Sequence, residues 1–302
     1  MESRISEEDK LIQTLKEGSQ VILQRHAQSE SNSRFIPILR KYGCESKIPK
    51  EEYLKCSFIK EDRDTRISEL GIEQCLKSQK IANQLDIHTV IVSPMRRAMM
   101  TAYHVYKDHP NLENIKFIML PCLRECINHM GDCPVHIDDI LEEFKPLIPQ
   151  LDDSEINKKE SRAHWFMDDF TFSNKNEEFQ EKLKSDLKDD CEDSLNTNLC
   201  ELLMDCIREL MPKPLECGWK MRERSTELKK FVKSYISKNK ISKDQKVILV
   251  GHYKIFSYYT GKWESELSRE EKLPSPTDYV KLENCQFVSD TNDFKEITLE
   301  DQ

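Results

Sequence analysis

Three places in the sequence set a histidine or an arginine pair directly behind a short apolar run. "VILQ" leads into Arg25-His26, "TVIV" into Ser93-Pro94-Met95-Arg96-Arg97, and "VILV" into Gly251-His252. A histidine beside a fixed positive charge is pushed toward its neutral, nucleophilic form, and arginine is a ready partner for phosphate. Each run reads as a buried strand, and each polar cluster as a turn into a helix. Ligands of open α/β sheets bind at the carboxyl ends of strands, where helix N-terminal amides favour an anion. If the three strands are neighbours, two histidines, Arg25 and Arg97 converge on one edge. The pocket they would build suits a phosphate. A lone histidine after a strand is more often structural; two, joined by arginines, make a stronger case for chemistry.

The elements that must position these residues follow from hydrophobic period. Residues 5–17 carry Ile5, Leu11, Ile12 and Leu15 roughly on one face, which predicts an amphipathic helix before the strand Gln20 to Gln24. Residues 33–62 read as a long irregular excursion. Ser68 can cap a helix through "ELGIEQCLKSQKIANQL", and "HTVIVS" predicts a strand followed by a helix from Met95 to Tyr106. "IKFIML" is another strand candidate. Residues 136–218 are polar, acidic and helical in pattern, and read as a surface insertion or cap whose charge run is a solvated face. "WKMRERSTELKKFVKSYISKN" predicts a helix, "KVILVG" a strand, and "CQFVSD" and "EITLE" possible edge strands. Strands alternating with helices imply one α/β domain over 1–302, a three-layer α/β/α sandwich around a mostly parallel sheet, with a largely helical insertion.

Composition narrows the function classes. The 302 residues suffice for a sizeable core, and the net charge of -9 argues against nucleic-acid or anionic-membrane partners. The first residues have no apolar signal-peptide core, and no apolar run approaches the ~20 residues needed to cross a bilayer. Eleven scattered cysteines without secretory context read as reduced thiols of a cytoplasmic protein. Cys122, Cys126, His129, Cys133 and His136 form one compressed cluster. Zinc takes such ligands, but its sites usually pair two knuckles across a longer loop. With Pro134 interrupting, incidental clustering is the stronger reading.

Family resemblance enters on these same blocks. "RHAQSESN" resembles the Arg-His-Gly-x-Ser-x-x-Asn signature of the histidine phosphatase superfamily, the phosphoglycerate mutase-like proteins. "DTRISELGIEQC", "SPMRRAMMTA", "LPCLRE", "LVGHY" and "LENCQF" are similar to later blocks of that family, in its order. The resemblance implies a phosphohistidine mechanism without cofactor or metal. His26 would attack phosphorus, and Arg25, Arg97 and His252 would hold the phosphoryl oxygens with Asn32 and backbone amides assisting. Glu125 would move the proton, with Asp132 as the competing acid. The implied partner is a small phosphorylated substrate or a phosphoprotein.

Several other residues have plainer readings. Ser29 and Ser93 read as caps, Arg96 as solvent-facing, and Gly71 and Gln74 as packing residues. His164 and Trp165 could line a lid, though an ordinary buried aromatic explains them as well. Glu125 could instead be a surface carboxylate paired with Arg124. Against the family pattern, Ala27 replaces a glycine, Met100 a glutamine, and Tyr253 stands where many members carry a small residue. "LRECINHMGDCP" lacks the arginine-rich segment with a tyrosine that the mutase branch carries after its acid. A phosphatase is therefore favoured over a mutase. A phosphate-binding regulatory protein that turns over weakly, and a zinc-stabilised interaction module, are the readings from other classes.

Overall fold

The computed structural model describes residues 6–44, 47–158, 165, 218–261 and 282–290. Its elements run α1 Glu7–Glu17, β1 Val21–Arg25, α2 Glu30–Tyr42, α3 Lys50–Ser57, α4 Glu69–Ala82, β2 Ile87–Val92, α5 Arg96–Tyr106 and β3 Lys116–Met119. They continue with α6 Ile137–Phe144, β4 Leu151–Asp152, α7 Gly218–Asn239, β5 Lys246–Gly251, α8 Tyr253–Thr260 and β6 Phe287–Ser289.

The strands form one sheet in the order β4-β3-β2-β5-β1-β6. Only β6 is antiparallel, against β1; the other pairings are parallel. Central β5 is buried along its whole length, which is why "KVILVG" has no polar alternation: helices cover both faces. Period two sorts the side chains. Ile22, Val90 and Ile248 join a core with α1, α4, α5 and α6. Leu23, Ile91 and Leu249 point the other way and pack with Met221, Leu228 and Val232 of α7 and Ile255 and Phe256 of α8. The expected three-layer α/β architecture is what forms. Burying each such aliphatic side chain contributes roughly 1.5–3 kcal/mol before the entropy of ordering it is subtracted.

Two expectations are corrected. Within 33–62 the chain is not irregular: it forms most of α2 and then α3. Ser29 caps α2 by accepting from the Asn32 amide, and Gly43, at φ 79°, ends it in the left-handed region that favours glycine. The helix buries little beyond Ser31 and carries Pro37 inside, so its period was thin. Nor does all of 136–218 stand apart. Ile137, Ile140, Leu141, Phe144, Leu151 and Ile156 enter the main core, and β4 extends the sheet beside β3. Trp165, also in that core, donates from Nε1 to the Val135 carbonyl at 3.4 Å, a packed aromatic rather than a lid. Residues 159–164 and 166–217, with His164, lie outside the described residues, as does "EITLE". Among the described residues no helix is long and apolar enough to cross a membrane.

Candidate active site

Strand order brings the chemistry together. Because β5 lies between β1 and β2, Arg25-His26, Gly251-His252 and Ser93 leave three adjacent carboxyl ends. Arg25 pairs with Gly251, the His26 amide donates to the Gly251 carbonyl at 2.9 Å, and the Ser93 amide to the Val250 carbonyl at 3.0 Å. The convergence the sequence made conditional on strand adjacency is therefore realised.

His26 is buried, and its turn is pinned from four sides. Besides the bond to Gly251, the Ala27 amide donates to Thr101 Oγ1 at 2.9 Å, the Gln28 amide to Gln74 Oε1 at 2.9 Å, and Asn284 Nδ2 to the His26 carbonyl at 3.1 Å. Gln74, expected only as a packing residue, is thus a hydrogen-bonding support of this turn, and Thr101 and Asn284 are supports that sequence reasoning missed. Their only signal was membership in the "SPMRRAMMTA" and "LENCQF" blocks. Ala27 is not among the described residues with positive φ, so the loss of glycine there costs no backbone strain.

The ring's tautomer follows from its partners. His26 Nδ1 lies 2.7 Å from the Ala27 carbonyl, which can only accept, so Nδ1 carries the proton. Nε2 keeps its lone pair, which accepts from Arg97 Nε at 3.3 Å. Burial, then the charges of Arg97 and Arg25, hold the imidazole pKa well below its usual value. A neutral imidazole with a directed lone pair is a nucleophile.

His252 packs 5.0 Å from His26 between ring centroids. Its Nε2 lies 2.8 Å from Ser93 Oγ, so Ser93 orients a histidine as well as receiving the Met95 amide at 3.4 Å. His252 Nδ1 is buried without a hydrogen-bond partner among the described residues. Burial and then the Arg97 charge depress its pKa. Arg25 donates from Nη1 to the Leu282 carbonyl at 2.9 Å, stacks at 5.5 Å on the Tyr253 ring, and keeps its buried Nε without a hydrogen-bond partner among the described residues.

Arg97, on the first turn of α5, gives Nη1 to the Gly131 carbonyl at 2.6 Å and Nη2 to Asp132 Oδ1 at 2.9 Å. Glu125 is buried, not a surface carboxylate. Its Oε1 accepts from the Cys126 amide at 2.9 Å and its Oε2 from the Lys254 amide at 3.3 Å. Burial first, and then the Asp132 charge, raises its pKa. So the two acids sit differently: Asp132 is engaged by an arginine, while Glu125 accepts from two backbone amides and its carboxyl pKa is raised above its usual value. Asn32 sits on the first turn of α2, where only its backbone amide is engaged, by Ser29. Among the described residues its side chain makes no hydrogen bond to the cluster.

Arg96 is not solvent-facing; its side chain is 21% exposed and pairs through Nε with Glu143 at 3.0 Å. The compressed cysteine cluster does not gather. Cys126 Sγ turns to Asn128, Cys133 Sγ to the His129 carbonyl, and His136 caps α6. Among the described residues no three or more His, Cys, Asp or Glu side chains are grouped to hold a metal ion.

What the constellation can do is hold a tetrahedral oxyanion against a neutral imidazole, with a protonatable carboxyl beside it. No curated protein matches the sequence. The fold is similar to the ecdysone phosphate phosphatase of Bombix mori, at 11% identity over 88% of this chain and 86% of that chain, TM-score 0.44. It is also similar to a mycobacterial glucosyl-3-phosphoglycerate phosphatase, at 14% identity over 88% of each chain, TM-score 0.41. A phosphoglycerate mutase from Bacillus anthracis is 13% identical over 79% of this chain and 76% of that chain, TM-score 0.39. Residues 50–183 match the family model of the histidine phosphatase superfamily (branch 1), a span that includes Arg97 and Glu125 but begins after His26 and ends before His252. Over that span, which is less than half of the chain, the sequence is similar to the histidine phosphatase superfamily.

Proposed function

We propose that this chain is a phosphatase that hydrolyses a phosphomonoester through a phosphohistidine on His26. The observation that carries the reading is the ring of His26. Its Nδ1 proton is tied to the Ala27 carbonyl, and its Nε2 accepts from Arg97 Nε, so Nε2 is the nitrogen that carries the lone pair, beside an arginine.

In the first step the Nε2 lone pair attacks phosphorus and the bond to the leaving oxygen breaks. That oxygen takes the proton of the Glu125 carboxyl. Arg97, Arg25 and the unpartnered nitrogen of His252 surround the phosphoryl oxygens, which is the charge stabilisation that phosphoryl transfer chiefly requires. In the second step water attacks phosphorus, its proton passes to the Glu125 carboxylate, and the bond from phosphorus to Nε2 breaks. Inorganic phosphate leaves, and His26 and Glu125 return to their starting states. The absence of an arginine-rich segment after Glu125 supports hydrolysis over transfer to a second sugar-acid phosphate.

The test is phosphate release from a panel of small phosphomonoesters by wild type and by His26→Ala, with and without EDTA. Release that vanishes in the variant supports the reading, and the EDTA arm reports any metal requirement. Release that survives His26→Ala would overturn it.

A further inference from the structure

Arg97 is gripped along one edge by a loop that the reaction itself does not use. The Gly131 carbonyl takes Nη1, and Asp132 Oδ1 takes Nη2. Both partners are buried, with Arg97 at 4% and Asp132 at 3% exposure of the side chain. The opposite edge, through Nε, faces the Nε2 of His26 at 3.3 Å.

Asp132 is itself fixed. Its Oδ2 accepts from the Asn128 amide at 3.2 Å and lies 3.4 Å from His129 Nε2. The loop is seated tightly on α2: a Cβ on Gly131 would come within 2.7 Å of Ser31 Oγ. A guanidinium held on one edge by two acceptors cannot swing about its long side chain, so its other edge stays aimed.

We infer that Asp132 is a positioning residue: with the Gly131 carbonyl it clamps the outer edge of Arg97, so that the Nε edge is presented to the phosphoryl group on His26. This rests on the phosphohistidine reading for its catalytic consequence, but not for its effect on how an anion is held. A carboxylate beside a phosphate site would by charge alone weaken anion binding. Its presence at a buried position is explained by the orientation it gives to Arg97.

The experiment compares Asp132→Asn with Asp132→Ala. Both variants lose the charge; only asparagine keeps an oxygen within reach of Nη2. Vanadate, which mimics the transferring phosphoryl group, is the binding probe, read by titration against each protein. The expected result is about tenfold tighter vanadate binding by the asparagine variant than by the alanine variant, the worth of one retained hydrogen bond. In turnover, Asp132→Ala loses about 10²-fold, mostly in kcat, and asparagine restores most of it. If the alanine variant does not fold, Asp132→Ser, whose hydroxyl falls short of Nη2, replaces it. Equal vanadate affinity and equal kcat in the two variants would overturn the inference. Loss of the His26 reading would appear separately, as turnover that persists in His26→Ala, while the vanadate comparison still decides the role of Asp132.

Discussion

Arg97 Nε lies 3.3 Å from His26 Nε2, and the other nitrogen of that ring is bound to the carbonyl of Ala27. The pair is assembled from residues 71 positions apart, one just past the end of β1 and the other on the first turn of α5, which follows β2; β5 lies between those two strands. It puts a fixed positive charge at the one lone pair able to attack phosphorus.

Glu125 carries the proton in this account, because burial and the Asp132 charge raise its pKa. A general acid works only while protonated, so activity must fall as pH rises through that raised pKa. Glu125→Gln is expected to lose about 10²–10⁴-fold in kcat/KM, which reports the first step alone, on alkyl phosphates, and much less on an aryl phosphate whose leaving group needs no proton. The alkaline limb of the pH profile should vanish with it. Steady-state kinetics on the two ester types checks this; equal losses of kcat/KM on both would assign the leaving-group proton elsewhere.

Ser93 is more than a turn residue, since its hydroxyl lies 2.8 Å from His252 Nε2. Ser93→Ala should leave the fold intact and reduce kcat about tenfold, the scale of one lost hydrogen bond that orients a ring. Paired measurement of kcat and thermal midpoint distinguishes this from a packing defect, which would move the midpoint and spare kcat.

Much of this arrangement was legible in the sequence, and the reason is physical. Strands buried on both faces must be continuous apolar runs, so "VILQ", "TVIV" and "VILV" announced themselves, and the polar residues after them had to lie at strand ends. The helix α2 was missed because it has a thin buried face and an internal Pro37, and the strand β4 because it has only two residues. The supports of the site were invisible for a different reason. Thr101 and Asn284 act on the turn at His26 from 74 and 258 residues away, and no local period reports a tertiary contact. Asp132 was noticed as an acid, but its engagement by Arg97, 35 positions earlier, required the fold.

Asp64 gives a stability test. This buried residue sits at φ 45°, accepts the Arg96 amide at 3.0 Å through Oδ1, and has its Oδ2 without a hydrogen-bond partner among the described residues. Burial raises its pKa from 3.8 to about 6, against the opposing charge of Arg97. The folded state therefore holds the proton more tightly than the unfolded one. Its contribution is fully present below pH 3.8 and is lost as pH rises through about 6. Asp64→Asn keeps the oxygen for the Arg96 amide and removes the buried charge. The variant should match wild type near pH 4 and exceed it at pH 8 by up to about 3 kcal/mol in urea unfolding. A variant less stable than wild type at pH 8 would show that the carboxylate is stabilised by its arginines instead.

The most direct measurement is to trap the phosphoenzyme. Wild type is mixed with a turning-over phosphomonoester, quenched in alkali, where phosphohistidine survives, and digested for mass spectrometry. The account predicts one phosphoryl group on His26, attached through Nε2, absent from His26→Ala and lost on acid treatment. Turnover with no phosphate on His26, or with phosphate on another side chain, would contradict it.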